Sequence, residues 1–271
     1  MKSIVRHILT VLARRTLWKY RPFIVGVTGS VGKTSAKDAI FAVLSTKYRV
    51  RRSERSVNTE IGVPLTILGI PHYGKNIFRW FSAIVRSGTL LFRRDPHYPD
   101  FLVLEMGADH PGDIAHLVKL APPLVGVITA IGEIPVHVEF FANPEELARE
   151  KAKLIEALPL EGYAVLNADD AIVMSMKHQA HTLSYGFGNN ADVRVQRYRL
   201  VVPSSVGPGG IAFSLQHGDR AIYVQLKNTF GKQQAYAAAA ACTTGLVLNM
   251  SLNEIADGLK QYQSPPGRLK L

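Results

Sequence analysis

The residues best suited to chemistry lie in the stretch GVTGSVGKTSAKDAI, residues 26–40, which follows an apolar segment. Gly29 and Gly32 permit backbone conformations that other residues avoid, and Lys33 and Thr34 follow directly. A strand that enters a glycine loop and then a helix directs backbone N–H groups at one point, which is an anion site. We therefore predict a phosphate loop in which Lys33 reaches the β- and γ-phosphates of a nucleotide and Thr34 binds Mg²⁺. The alternative is a glycine turn with a purely structural role.

The elements around this loop must hold it at the edge of a sheet. Phe23 to Val27 is an apolar, partly β-branched run that predicts a buried strand, and Thr34 to Leu44 predicts the helix after the loop. Asn143 is the expected N-cap of another helix, with Pro144 at its first position. The alternation continues with strands predicted over 101–108, 124–131 and 162–170 and helices over 113–120 and 143–158. This pattern predicts a mostly parallel sheet covered on both faces.

The pattern changes after Leu183. Three segments, 191–202, 209–216 and 220–226, alternate polar and apolar residues and are joined by turn sequences, which indicates antiparallel hairpin strands. Two helices are predicted after them, over 234–248 and 252–261. The predicted fold class is therefore α/β: a three-layer, P-loop-type and mostly parallel sheet with a small antiparallel hairpin subsheet.

Composition indicates an ordinary globular protein with an excess of positive charge. The chain has 271 residues, of which 47% are hydrophobic and 20% charged. Its single cysteine, Cys242, excludes an internal disulfide framework and a cysteine-rich metal site, and fits the cytoplasmic location that we expect. The net charge is +11, and up to Arg55 thirteen Lys or Arg accompany only Asp38 and Glu54. Such an excess either favours an anionic partner or forms a solvated surface.

Residues 1–21 predict a basic, amphipathic helix. Ile4, Val5, Ile8 and Leu12 recur at helical spacing. The segment is too short and too charged to span a bilayer, and it lacks the cleavage site of a signal peptide. We expect the helix to pack on the body of the protein, with peripheral contact to a membrane surface as the alternative.

Several segments together resemble the Mur ligase family. GVTGSVGKTS is similar to that family's Gly-x-Thr-Gly-x-x-Gly-Lys-Thr/Ser loop, which lacks the early glycine of the common phosphate loop. NTEIGVPLTIL from Asn58, LEMGADHPGDI from Leu104, HVEFFANPEELAREKAKLIEAL from His137, VLNADD and PPGRL continue the similarity in the same order. The resemblance covers residues 23–271. It is closest to the central ATP-binding domain of the branch that adds D-alanyl-D-alanine to a muramyl tripeptide.

The resemblance implies a set of site residues and the cofactors ATP and Mg²⁺. Glu105 resembles an acid that helps to hold Mg²⁺, and the carboxyl end of a strand is where open α/β sheets bind ligands. His137 matches a histidine that binds a second Mg²⁺, while Asn58 and Glu60 are implied on the substrate side. The implied ATP-binding residues are Thr28, Gly29, Ser30, Val31, Gly32, Lys33, Thr34, Ser35, Asn167 and Arg268.

Lys153 aligns with a lysine that carries a carbamate between the metals in many relatives. A carbamate turns a cation into an oxygen ligand, which a hard metal such as Mg²⁺ prefers. The alternative is that Lys151 and Lys153 are ordinary lysines on a helix surface. The implied metal ligands are therefore Thr34, Glu105, His137 and Lys153.

The reaction that the resemblance implies is an ATP-dependent amide ligation in peptidoglycan precursor synthesis. ATP would phosphorylate the carboxylate of a UDP-muramyl peptide, and D-alanyl-D-alanine or a similar amine would then displace the phosphate. The implied catalytic residues are Lys33, Glu105, His137 and Lys153, which would stabilise charge on the transferred phosphoryl group.

Three departures from the family pattern bear on this interpretation. Gln233 and Gln234 replace a His-Asn pair near the adenine, and Ala237 replaces a later asparagine that could form hydrogen bonds. Few residues precede the loop strand, where relatives have a domain that grips the UDP-sugar. The chain stops after PPGRL, where relatives enter a C-terminal domain that closes over ATP.

The expected domain organisation follows from these departures. We expect a helix over 1–21, the central ATP-binding domain over 22–264, and over 265–271 the start of a linker to a C-terminal domain that this chain lacks. We also expect nucleotide binding with little ligation by this chain alone, so that full activity needs a C-terminal domain in cis or a partner chain.

Other functions stay open from the sequence. One is a nucleotide-binding module or subunit without catalysis, and another is a ligase of the folylpolyglutamate type, which shares the loop. No RNA-reading motif, zinc-finger spacing or helix-turn-helix signature is found, so a nucleic-acid partner is not expected.

Overall fold

The structure, a computed structural model, describes residues 2–53, 61–71, 85, 87–132, 141, 143–203 and 208–264. Within these ranges nine strands form one sheet in the order β2-β3-β1-β4-β5-β6-β7-β8-β9. Neighbouring strands are parallel from β2 to β7, and β7, β8 and β9 are antiparallel. The strands are β1 Phe23–Thr28, β2 Val50–Arg52, β3 Phe101–Glu105, β4 Val125–Ile128, β5 Tyr163–Asn167, β6 His181–Gly186, β7 Val193–Val201, β8 Gly210–His217 and β9 Arg220–Lys227.

The helices connect these strands. They are α1 Lys2–Tyr20, α2 Lys33–Leu44, α3 Gly62–Leu68, α4 over residues 87–92, α5 Asp113–Leu120, α6 Pro144–Glu156, α7 Ala171–Met174, α8 Lys232–Val247 and α9 Leu252–Gln261. The predicted N-cap of α6 is confirmed, because the Asn143 side chain accepts a hydrogen bond of 2.8 Å from the backbone N–H of Glu146. Ser251 caps α9 in the same way, and Glu254 completes a capping box.

Alternation along the strands divides the core into two layers. Val25 and Val27 of β1 face the layer that contains α2, α8 and α9. Ile24 of β1 and Leu102 of β3 face the opposite layer, which contains α3, α5 and part of α6. Side chains on successive residues of a strand point to opposite faces, so this sheet is covered on both sides. The predicted three-layer α/β fold with a terminal antiparallel part is confirmed.

Helix α1 packs on the second layer, as expected from its periodicity. Leu9 and Ala13 are fully buried there, in one cluster with Val63 of α3 and Ile114 of α5. No helix among the described residues combines the length and apolar character that crossing a membrane requires.

Two elements differ from the sequence-based expectation. Residues 181–186 form β6, which pairs in parallel with β5 and extends the sheet by one strand before the hairpins. No element was predicted over residues 62–68, which form α3 and are all buried. Pro64 lies within the first turn of α3, where its missing N–H costs no hydrogen bond.

Candidate nucleotide-binding site

The predicted phosphate loop joins β1 to α2. Gly29 has a φ of +142° and Gly32 a φ of +86°, both unfavourable for other residues. A Cβ atom at Gly29 would lie 2.0 Å from Oγ1 of Thr129, so no side chain fits there. Gly32 is the N-cap residue of α2, and the N–H groups of the first helical turn have no intrahelical acceptor. The backbone therefore provides an anion site at the start of α2.

Part of the loop backbone is engaged elsewhere. The N–H groups of Ser30 and Val31 donate to the carbonyl of Ala130, at 2.7 and 3.2 Å. These two residues consequently anchor the loop to the segment after β4. Their N–H groups are therefore not available to an anion, and the anion site consists of the N–H groups from Gly32 onward. The ammonium of Lys33 donates to the carbonyl of Ser30 at 3.2 Å, which places its charge over the loop.

Thr34 and Glu105 meet beside this loop. Strands β1 and β3 are parallel neighbours in which Val27 pairs with Glu105, so both strands end at the same edge of the sheet. Oγ1 of Thr34 donates to Oε1 of Glu105 at 3.3 Å, and Glu105 is only 3% exposed. The backbone N–H of Glu105 donates to Oγ of Ser53 at 3.0 Å, which fixes the end of β3. The sequence places these two residues 71 positions apart, and the sheet brings them together.

A cluster of charges surrounds Glu105. The ammonium of the buried Lys37 lies 3.5 Å from Oε2 of Glu105 and 3.5 Å from Oδ1 of Asp38. Arg52 lies 3.2 Å from the same oxygen of Asp38. Burial raises the pKa of Asp38, although the charges of Lys37 and Arg52 act in the opposite direction. The Lys37 ammonium therefore balances the charge of the Glu105 carboxylate.

Lys151 of α6 contacts the phosphate loop. Its ammonium donates to the carbonyl of Gly29 at 3.0 Å, and the residue is 3% exposed. Burial lowers the pKa of Lys151 to about 7, and the nearby charge of Lys33 acts in the same direction. Burial beside the phosphate loop thus favours the neutral form of this amine.

Lys153, the lysine that the resemblance indicates, is oriented differently. Its ammonium pairs with Oε2 of Glu150 at 2.5 Å, and its side chain is 38% exposed. The other oxygen of Glu150 accepts a hydrogen bond of 2.8 Å from the backbone N–H of Ile114 in α5. Burial opposes ionisation of Glu150, but the hydrogen bonds from Lys153, Gly112 and Ile114 hold its pKa below the ordinary value. Glu150 therefore ties α6 to α5, and the described contacts of Lys153 include none with the loop.

A cleft of about 230 Å³ lies beside the loop. Its walls come from the loop, the ends of β4 and β5, and the start of α8: Val31, Gly32, Ala36, Thr129, Ala130, Gly132, Asn167, Asp169, Asp170, Tyr185, Gln233, Tyr236 and Ala237. Asp169 accepts hydrogen bonds from the hydroxyl of Tyr236 at 2.7 Å and from the N–H groups of Phe187 and Gly188. This cleft therefore places polar and apolar side chains next to the phosphate loop.

The two glutamines at the start of α8, which replace the His-Asn pair of the family, have different surroundings. Gln233 and Ala237 line the cleft. Gln234 is buried, accepts a hydrogen bond of 2.6 Å from the hydroxyl of Tyr262, and donates to Oγ of Ser35 at 3.4 Å. Gln234 therefore joins α8 to α2 and α9, and the Ser35 hydroxyl takes part in that packing.

The remaining predicted site residues are placed as follows. Thr28 is fully buried at the end of β1, and Asn167 ends β5, where its side chain accepts from the N–H of Asp169 at 3.1 Å. The predictions for Asn58, Glu60, His137 and Arg268 lie outside the described residues.

The sequence reasoning missed several residues of this site. Lys37 and Lys151 have buried ammonium groups that face the strand-end acid and the loop. Asp169 and Tyr236 shape the cleft. For Lys151 a signal existed, because it follows the apolar Leu147 by four positions on the buried face of α6.

A glycine loop, a helix N-terminus and an acid at the next strand end define a nucleotide-binding α/β domain of the phosphate-loop class. The chain belongs to the Mur ligase family, because the model of the Mur ligase middle domain matches residues 87–245. The resemblance inferred from the sequence motifs is thereby confirmed.

Two relatives with the same name are similar to most of this chain. The chain is 29% identical over 260 residues to the UDP-N-acetylmuramoyl-tripeptide–D-alanyl-D-alanine ligase of Bacillus subtilis (strain 168), covering 96% of this chain and 49% of that protein. It is 32% identical over 241 residues to the ligase of the same name from Mycobacterium tuberculosis (strain ATCC 25618 / H37Rv), covering 87% and 40%. The chain thus spans about half the length, or less, of these relatives.

Solved structures agree with the fold. The MurF ligase of Thermotoga maritima in complex with ADP superposes with a TM-score of 0.77 at 28% identity, covering 98% of this chain and 54% of that chain. MurF from Acinetobacter baumannii superposes with a TM-score of 0.78 at 24% identity, covering 98% and 51%.

Proposed function

We propose that this chain binds ATP with Mg²⁺ and forms the carboxylate-activating part of an amide ligase. The ligase would join D-alanyl-D-alanine, or a similar amine, to a UDP-muramyl peptide during peptidoglycan precursor synthesis. The observation that carries the proposal is the approach of Thr34 to Glu105 at 3.3 Å beside the phosphate loop. Support comes from the names of the relatives and from the ADP complex of the Thermotoga maritima MurF ligase. A cytoplasmic location is part of the proposal, since ATP and UDP-linked precursors are made there.

The phosphate side of the site has two tasks. The first-turn N–H groups of α2 and the Lys33 ammonium bind the phosphate oxygens and hold the γ-phosphate toward the substrate carboxylate. Thr34 and Glu105 supply hard oxygen donors that fit Mg²⁺, and Oε2 of Glu105 is buried without a hydrogen-bond partner among the described residues. Bound Mg²⁺ would neutralise charge on the phosphates. Among the described residues no group of three or more His, Cys, Asp or Glu could hold a metal ion. Beside one or two protein carboxylates, Mg²⁺ usually keeps phosphate oxygens and water as ligands.

Lys151, rather than Lys153, is the residue that we propose as the carbamate-bearing lysine. Its ammonium lies 3.0 Å from the carbonyl of Gly29, so a carboxylate formed on Nζ would sit at the loop. In that modification the neutral amine of Lys151 bonds to the carbon of CO₂ and releases a proton. Mass spectrometry or ¹³C NMR with labelled bicarbonate detects the group directly, and label on Lys153 instead would contradict the assignment.

The nucleotide part of the proposal is tested with Lys33→Ala. We expect the affinity for ATP·Mg²⁺ to fall about 100-fold by calorimetry, because the variant loses a charge-assisted contact to the phosphates. Lys260→Ala is the matched control, since Lys260 is exposed on α9 and pairs only with Asp257 among the described residues. If both variants bind ATP as the unaltered chain does, the phosphate site is not at this loop.

The ligase part is tested with the product of the complete gene. ATP, UDP-muramyl tripeptide and D-alanyl-D-alanine should yield ADP, phosphate and the joined peptide, each detected by mass spectrometry. Product only from a folate and glutamate would move the protein to the folylpolyglutamate class. ATP binding without any ligated product would favour the non-catalytic module.

A further inference from the structure

Helix α1 has two faces of different chemistry. Leu9 and Ala13 are buried against the body of the protein. Arg14, Arg15 and Trp18 are exposed on the outer side, and the Trp18 side chain is 77% exposed. The helix contains no acidic residue. Because its apolar side is already packed, this exposed indole has no role in the core.

A shallow groove adjoins Trp18. It lies between the end of α1, the start of β1 and the end of α5, has a volume of about 390 Å³, and carries Arg14 and Lys119 at its wall. Its apolar lining consists of Leu17, Trp18, Pro22, Ile24, Leu120 and Pro122. Apolar surface and positive charge therefore occur side by side.

A second exposed aromatic is held near the end of α1. The ammonium of Lys19 donates to the carbonyls of Leu90 and Leu91, at 2.8 and 3.0 Å. The hydroxyl of Tyr20 donates to the carbonyl of Leu90 at 3.1 Å. These contacts fix the end of α4, where Phe92 is 93% exposed and is followed by two exposed arginines.

The positive charges around the groove and at the end of α1 have no ion-pair partner in the described part of the chain. The ion pairs found there include none with Arg14, Arg15, Arg21 or Lys119. An uncompensated positive surface attracts anions over about a Debye length. The complementary partner is therefore anionic, and the exposed Trp and Phe side chains require that it also accept apolar groups.

We propose that this surface, defined by Arg14, Arg15, Trp18, Phe92 and Lys119, docks on an anionic lipid bilayer. Trp is favoured at the level of lipid headgroups, where its ring is apolar and its N–H finds a partner. Arg and Lys bind the phosphates of acidic lipids. A nucleic acid would satisfy the cations but offers no apolar layer for Phe92 and the groove.

The location of the surface is compatible with nucleotide binding. Phe23 begins β1, whereas the phosphate loop follows the other end of the same strand. The docking surface thus lies at the amino-terminal edge of the sheet and the cleft at its carboxyl-terminal edge. A bilayer contacted through Trp18 would leave the nucleotide cleft open to solvent.

Vesicle sedimentation tests the charge requirement. We expect the protein to bind vesicles of phosphatidylcholine with about one third phosphatidylglycerol at about 0.15 M salt, and to ignore vesicles of phosphatidylcholine alone. The double variant Arg14→Glu/Arg15→Glu should bind the anionic vesicles at least about tenfold more weakly. The matched control is Arg220→Glu/Lys227→Glu in β9, the edge strand farthest from β1 in the sheet order. It changes the net charge by the same amount. Equal losses in the two variants, or no binding by the unaltered protein, would overturn the proposal.

Fluorescence tests the insertion of Trp18. The chain has two tryptophans, so Trp80→Phe leaves Trp18 as the only indole. Its emission should shift to shorter wavelength when anionic vesicles are added, and the shift should disappear in the Arg14→Glu/Arg15→Glu background. Binding without a shift would show that Trp18 stays in water and would contradict the docking geometry. If a 30-nucleotide duplex competes the protein off the vesicles at equimolar phosphate, the surface belongs to nucleic acid instead.

Discussion

The two sides of the proposed nucleotide site are built in different ways. The phosphate side uses backbone N–H groups and the short side chains of Thr34 and Glu105, which two neighbouring parallel strands and one helix position. The base side collects Thr129, Asn167 and Tyr236 from two strand ends and a helix that lie far apart in the sequence. Charge stabilisation depends on few fixed groups, whereas base recognition is spread over many contacts. The phosphate side therefore keeps its motif while the base side departs from the family pattern.

Glu105→Gln tests the phosphate side and should have the largest effect. The amide keeps the shape of the side chain but removes the charge, so we expect the gain in ATP affinity from Mg²⁺ to fall at least about tenfold. The variant also removes one of the two carboxylates beside the buried Lys37 and leaves Asp38 as its partner, which should lower the free energy of unfolding by about 2 kcal/mol.

Calorimetry with and without Mg²⁺ measures the first effect, and urea unfolding the second. Glu161→Gln, at an exposed position, is the control. A variant that loses stability but keeps the full Mg²⁺ effect would show that Glu105 supports the fold and not the metal.

Lys151→Met tests whether burial of the Lys151 ammonium destabilises the folded protein. The folded-state pKa of Lys151 is about 7, below its ordinary value of 10.5. Between these pH values the unfolded chain binds a proton that the folded chain lacks, so the stability of the unaltered protein should rise with pH. The rise should be on the order of 3 kcal/mol from pH 7 to pH 10, and Lys151→Met should lack it.

Urea unfolding at several pH values, in carbonate-free buffer, gives the comparison. Lys153→Met is the matched control, because the Lys153 side chain is 38% exposed and paired with Glu150, and its slope should remain that of the unaltered protein. The same slope in Lys151→Met would mean that another group titrates.

The local sequence pattern predicted the glycine loop and the helix that follows it, and the structure has both. The family resemblance indicated Lys153 of α6, whereas the ammonium that contacts the loop is that of Lys151. Gly29, Gly32 and Thr34 are local, because a strand, a loop and a helix in sequence suffice to place them. The choice between Lys151 and Lys153 depends on which face of α6 packs on the sheet. Leu147, Lys151 and Leu154 share the buried face, a spacing that the sequence contains.

Other features could not be read from local patterns. The cleft wall from Asp169 and Tyr236 arises where β5 and α8 meet, and they are 67 positions apart. β6 was not predicted from the sequence because its first two residues are exposed and only its end is buried. Its burial therefore lacks the alternation of exposed and buried residues that is typical of a half-buried strand. Tertiary pairing with β5, rather than β propensity, makes it a strand.

Ala237→Asn tests the base side and should have the smallest effect. Ala237 lines the cleft where the family pattern has an asparagine, and an amide there can add one hydrogen bond to the base. One such bond contributes about 1 kcal/mol, so ATP should bind about fivefold more tightly. Tripolyphosphate has the phosphates without the base, and its affinity should not change. If both ligands respond alike, the substitution acts through the loop, and the two sides of the site are not independent.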